Sequence, residues 1–137
     1  MFDPKAVVDE FCTICESAWM DYHLYVSLFE IDQRTLDLYA QIAPKYFVDL
    51  NRILIEHMFI QFSKITDPVG SDSKTNLTTN YILEKLLWPT DVCNKLTEIN
   101  VRMMKFRQYI DPARNKRIAH TDLSAQIRDG YRHSPTS

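Results

Sequence analysis

Apolar side chains recur at three- and four-residue steps along most of the chain, the spacing that gathers them on one face of an α-helix. Val7, Val8, Phe11, Cys12, Cys15, Ala18, Trp19, Tyr22, Tyr25, Val26 and Phe29 form the first stripe and predict a helix over about 5–30. Asp3 and Pro4 open it with a capping carboxylate and a proline at the first helical position. A second stripe runs through Leu36, Tyr39, Ala40, Ala43, Phe47, Leu50, Ile53, Leu54, His57, Met58, Gln61, Phe62 and Ile65. It predicts a helix over about 33–65, kinked or broken at Pro44. Residues 66–76 hold Pro, Gly, Ser and Asp and read as the one substantial loop. Thr78 is placed to cap a third, shorter helix ending near Leu87. After Trp88-Pro89-Thr90-Asp91, a fourth stripe follows through Val92, Leu96, Ile99, Met103, Phe106 and Ile110. Asp111-Pro112 repeats the opening signal of Asp3-Pro4, and so starts a fifth helix to about His120 or kinks the fourth. No stretch alternates with period two. The expected class is all-α: an antiparallel up-and-down bundle of about four to five helices over residues 1–128, with an aperiodic, frayed tail at 129–137.

Composition fits one such domain. The 137 residues are 45% hydrophobic and 25% charged, enough for a core without disulfide or metal staples. The two glycines, Gly70 and Gly130, exclude the Gly-rich loops that cradle nucleotide phosphates. No apolar run approaches the roughly 18 residues of a membrane span, and the start of the chain has no signal-peptide pattern, so a cytoplasmic protein without membrane contact is expected. Three cysteines, an odd number, suit a reducing compartment. The net charge of −2 conceals a split. Residues 1–101 carry eight basic and 15 acidic side chains, whereas residues 102–137 carry eight basic and three acidic. A basic last quarter on an acidic body suggests a local anion-binding surface; a solvated helix face would give the same count.

The basic quarter contains the segment richest in chemistry, Asp111-Pro112-Ala113-Arg114-Asn115-Lys116-Arg117-Ile118-Ala119-His120-Thr121-Asp122. The guanidinium of Arg114 can hold a phosphate by paired hydrogen bonds and offset charge building on its oxygens. The imidazole of His120 can exchange a proton near neutral pH, and the neighbouring Lys116 and Arg117 favour its neutral form. RNA brings its own nucleophile, the 2′-hydroxyl. Deprotonated, that oxygen attacks the adjacent phosphorus to give a 2′,3′-cyclic phosphate, with no metal or other cofactor required. Six residues at 100° each set Arg114 and His120 about 120° apart on a single helix. They can converge through the length of the arginine side chain, or where two copies of the helix face each other in a homodimer.

The Arg114-Asn115 pair followed by His120 resembles the signature of HEPN-domain ribonucleases. Ile65-Thr66-Asp67-Pro68, Asn76-Leu77-Thr78 and Ala119-His120-Thr121-Asp122 resemble the AbiU-type (abortive-infection) branch of that superfamily, and the likeness covers roughly residues 5–125. It implies a dimerising helical bundle with both motifs in a shared cleft. It also implies a metal-independent endoribonuclease, acting as a toxin or phage-defence effector, with a cognate antitoxin or other defence-system partner. Carried onto this chain, Arg114 stabilises the phosphate, His120 transfers protons and Asn115 positions substrate. The alternative is a non-catalytic module that binds RNA or a nucleotide as a regulatory or neutralising partner. Family members usually continue into another helix, which residues 131–137 cannot supply in full. Arg102, Lys105, Arg107, Lys116 and Arg117 are candidates to steer an RNA backbone, and Tyr109 to stack a base.

Other features have plainer readings. Cys12-Thr13-Ile14-Cys15 has the spacing of half a zinc site, but both thiols lie on the apolar stripe and no second pair follows, so core packing is expected. His57 lies on the apolar stripe of the second helix and reads as a core histidine, His23 as a surface one. The remaining tyrosines and the Met103-Met104 pair read as core or interface filling. A third possibility for the whole chain is an assembly domain whose Arg–His motif only packs at a dimer seam.

Overall fold

A computed structural model describes residues 2–115, and within them the chain forms five helices and one short hairpin. Helix α1 spans Pro4–Phe29, and the Asp3 carboxylate accepts the Lys5 N–H at 3.1 Å to cap it. Helix α2 spans Gln33–Ile42. Its cap, Asp32, accepts from the Thr35 N–H at 3.0 Å and the Thr35 hydroxyl at 2.8 Å, and these bonds lower the carboxyl pKa. Helix α3 spans Pro44–Thr66. The expected kink at Pro44 is a complete break. Ala43 precedes the proline, which disfavours helical backbone there, and it adopts φ −153° and ψ 68°. Pro44 then takes the first position of the next helix, where its missing N–H costs nothing.

The expected loop contains a two-residue ladder. Strand β1 (Gly70–Ser71) pairs antiparallel with β2 (Lys74–Thr75), Gly70 opposite Thr75. Two residues are too few to show a period-two pattern. Gly70 has φ +91°, and a Cβ there would run into the Lys74 carbonyl oxygen. Gly70→Ala is therefore expected to cost about 1–2 kcal/mol, measured as a lower denaturation midpoint at unchanged m-value.

Helix α4 spans Thr79–Lys85, and the buried Thr78 hydroxyl accepts the Tyr81 N–H at 3.3 Å. Trp88 closes its other end by donating its indole N–H to the Ile82 carbonyl at 2.8 Å. Helix α5 spans Thr90–Ala113 and runs through Pro112. Asp111-Pro112 therefore starts no new helix, although Asp3-Pro4 does. The difference lies in what holds the carboxylate. Asp3 turns onto its own helix start, whereas Asp111 is held by Arg107 one turn back, Nε to Oδ2 at 3.2 Å. Past the proline, the Arg114 N–H reaches the Ile110 and Asp111 carbonyls.

Aromatic contacts set the directions of the helices. Phe29 at the end of α1 meets Tyr39 of α2 at 6.2 Å between ring centroids, and Tyr39 stacks on Phe47 near the start of α3 at 3.8 Å. Further along the pair, Asp21 of α1 meets His57 of α3, so α1 and α3 run antiparallel. Phe62 meets Phe106 edge-on at 5.3 Å. Ala113 lies further back along α3, beside Ile55 and Phe59, so α5 is antiparallel to α3 as well. This is the expected all-α helical bundle. No helix among the described residues is long and apolar enough to cross a membrane.

The core is thinner than the stripes suggest. Among the described residues the buried apolar side chains are Ile65, Ile82 and Ile110. Trp19 is 60% exposed and Phe106 54%, although both lie on predicted core faces. They border an open apolar groove of about 520 Å3 between α1, α3 and α5, with Cys15, Phe62 and Ile110 along it. Periodicity reports which side of a helix is apolar, and not whether another element covers it.

Candidate functional site

The end of α3, the start of α4 and the last turns of α5 meet in one polar cluster. Its floor is Thr66, which is fully buried and donates its hydroxyl to the Phe62 carbonyl at 2.8 Å. Asp67 follows in extended backbone (φ −61°, ψ 155°), as suits a residue before proline. Asn80 of α4 donates its side-chain amide to the Asp67 carbonyl at 3.4 Å and accepts from Asn100 of α5 at 3.0 Å. Asn76 bonds across the hairpin base, its side chain to the Pro68 carbonyl at 3.1 Å and its N–H to the Val69 carbonyl at 2.7 Å.

Arg107 joins these parts. One terminal nitrogen donates to the Ser63 carbonyl at 3.2 Å and the Thr66 hydroxyl at 3.1 Å. The other donates to Asp67 Oδ1 at 2.8 Å, and Nε to Asp111 Oδ2 at 3.2 Å. These bonds occupy four of the five N–H donors of a guanidinium. The side chain is 12% exposed. Burial acts to lower its pKa, but hydrogen bonds to Asp67 and Asp111, with the charges of both, outweigh that and raise it. A group held this way fastens α5 to the end of α3 and has little left to offer a phosphate.

Arg114 lies seven residues further on, two turns along the same face. Its terminal nitrogen stands 3.7 Å from Asp67 Oδ1, and its side chain is 31% exposed. That distance is an ion pair and not a hydrogen bond. Asn115 follows and is exposed.

The remaining candidates separate. Arg102, Lys105 and Tyr109 are all exposed, Tyr109 at 73%. At 100° per residue they lie about 120–180° around α5 from Arg114. Among the described residues, the basic side chains of α5 therefore fall on two faces, Arg102 and Lys105 on one and Arg114 on the other, with Arg107 held inside by the bundle. Lys116, Arg117 and His120 lie outside the described residues, as does the tail expected at 129–137.

His57 is not a core histidine. Its ring is half exposed, with Nε2 2.8 Å from Asp21 Oδ2 and 3.3 Å from the Gln61 amide nitrogen. The apolar stripe of α3 ends at that edge, and α1 supplies the carboxylate that satisfies it. His23 is exposed and packs edge-on against Trp19 at 4.1 Å. Cys12 is exposed rather than packed in a core, whereas Cys15 is half-buried. Among the described residues no group of three or more His, Cys, Asp or Glu side chains is placed to hold a metal ion. Burial, and secondarily the nearby Cys12, pushes the Cys15 thiol pKa up. Iodoacetamide at pH 8 is therefore expected to label Cys12 several-fold faster than Cys15, read by peptide mass mapping, with the gap narrowing as pH rises.

Asp67 and Asn80 emerge only from the structure as partners of α5, which they meet through Arg107 and Asn100. Their sequence signal is faint: an acid before proline at a helix end, and two amides on otherwise periodic helices. No protein-family model, curated protein or solved structure matches this chain.

Proposed function

We propose that the protein is a metal-independent endoribonuclease of HEPN type that works as a homodimer. Arg114 offsets charge on the scissile phosphate, His120 takes the proton from the 2′-hydroxyl and returns one to the leaving oxygen, and Asn115 positions the substrate. The observation that carries this reading is the meeting of the end of α3 and the end of α5, more than 40 positions apart in the chain at Asp67 and Arg114, at one junction. Ile65–Pro68 and Asn76–Thr78 resemble the AbiU-type branch and Arg114-Asn115 opens the HEPN-like signature, and Asp67 of the first segment stands 3.7 Å from Arg114 of the last. Asn76 links the second to Pro68 of the first. Such a junction holds Arg114 on a braced helix end with part of its guanidinium open to a ligand. The homodimer is supported by exposed Phe106 and Tyr109 on α5, whose apolar area would be buried by a second copy.

The test is RNA cleavage in EDTA by the wild type, His120→Ala and Arg114→Ala, with circular dichroism to establish folding. The reading expects products ending in 2′,3′-cyclic phosphate from the wild type and none from either variant. Cleavage surviving both substitutions would end it. Salt-sensitive RNA binding without product would instead select the non-catalytic module.

A further inference from the structure

Arg114 and Arg107 reach the same oxygen, Asp67 Oδ1, but on different terms. Arg107 donates to it at 2.8 Å and has three more of its five N–H donors engaged elsewhere. Arg114 stands 3.7 Å away, presenting one terminal nitrogen and keeping the rest of its fork unengaged by that carboxylate. Asp67 itself has little freedom. Pro68 restricts its backbone to the extended region, Asn80 holds its carbonyl, and Arg107 fixes the carboxylate. A fixed negative charge beside a long flexible cation limits where that cation points without using up its donors. Orientation of this kind matters because an arginine recognises phosphate through paired, directional bonds, and much of the benefit of a charged group in catalysis comes from its being held in place beforehand.

We infer that Asp67 is the positioning residue for Arg114: braced by Arg107, it aims the guanidinium so that its free edge meets the RNA phosphate. The inference deepens the ribonuclease reading and rests on it. Asp67 touches no reacting atom. Its charge also opposes the incoming anion, so the two effects on binding and turnover have opposite signs.

Asp67→Asn tests this, because asparagine keeps an oxygen for Arg107 and removes the charge facing Arg114. The matched variant is Asp111→Asn, which alters the other carboxylate on Arg107 and leaves Asp67 in place. Steady-state cleavage of an RNA oligomer is expected to show kcat about tenfold lower in Asp67→Asn, with KM unchanged or lower. Asp111→Asn should lose comparable thermal stability with kcat within about twofold of the wild type. Equal kcat losses in the two variants would overturn the inference, since both would then act only through Arg107. An NMR readout does not depend on activity. The Arg114 Nε–H signal, assigned by its loss in Arg114→Lys, should sharpen and move toward the position of free arginine in Asp67→Asn but not in Asp111→Asn. No response to Asp67→Asn overturns the inference even if RNA is cut. A clear response in a wild type that neither cuts nor binds RNA overturns the ribonuclease reading, and the phosphate-aiming role falls with it, while the pairing stands.

Discussion

Arg107→Ala is expected to lower the stability of the fold by about 3 kcal/mol, or roughly 10 °C in Tm for a domain of this size. The truncation removes one guanidinium but leaves four acceptors without their donor: the Ser63 carbonyl, the Thr66 hydroxyl, Asp67 and Asp111. Ser63 and Thr66 are buried, so water cannot readily replace the lost bonds. The two aspartates keep about a third of their exposure, which limits the cost to the lower part of the range for breaking a buried pair. Arg107→Lys should recover less than half of the loss. An ammonium donates from one point and cannot span α3's last turn, Asp67 and Asp111 together. Arg102→Ala, on the exposed face of the same helix, should stay within about 0.5 kcal/mol of the wild type. Thermal melts of the three variants measure the set. A loss under 1 kcal/mol in Arg107→Ala would mean that the cluster does not bind α5 to α3.

The contrast between Arg102 and Arg107 also shows where the sequence is legible and where it is not. Helical class followed from three- and four-residue apolar steps, and the helix starts at Asp3-Pro4 and Thr78 followed from capping chemistry, because both are local properties. Asp111-Pro112 carries the same local signal with another outcome, since the Asp111 carboxylate is claimed by Arg107. Charge counting could not separate the arginines of α5, because every one adds the same unit. What separates them is the partner carried in from about 40 positions away in the chain. Asp67 was visible as part of a resemblance, and its contacts with both arginines needed the antiparallel pairing of α3 with α5. His57 shows the same limit in reverse. Its place on an apolar stripe suggested burial, and the stripe is wider than the surface α1 covers.

Arg114→Ala should then behave as the opposite of Arg107→Ala. Its side chain is part exposed and, among the described residues, tied to the bundle by one ion pair at 3.7 Å, so its removal is expected to cost less than about 1 kcal/mol of stability. Its loss from cleavage should be far larger, about 10²–10³-fold in kcat, the usual effect of deleting a group that meets charge developing in the transition state. Arg114→Lys keeps the charge and loses the paired donors, so it should recover no more than about a tenth of the activity. The two arginines, two turns apart on one face and sharing one aspartate oxygen, would thus divide stability and chemistry between them. Activity assays alongside melts for both residues separate the roles. If Arg114→Ala lost as much stability as Arg107→Ala, both guanidiniums would be braces for the bundle. The phosphate-binding group would then have to be sought among the other candidates, Arg102 and Lys105 on the opposite face of α5 or Lys116 and Arg117 beyond the described residues.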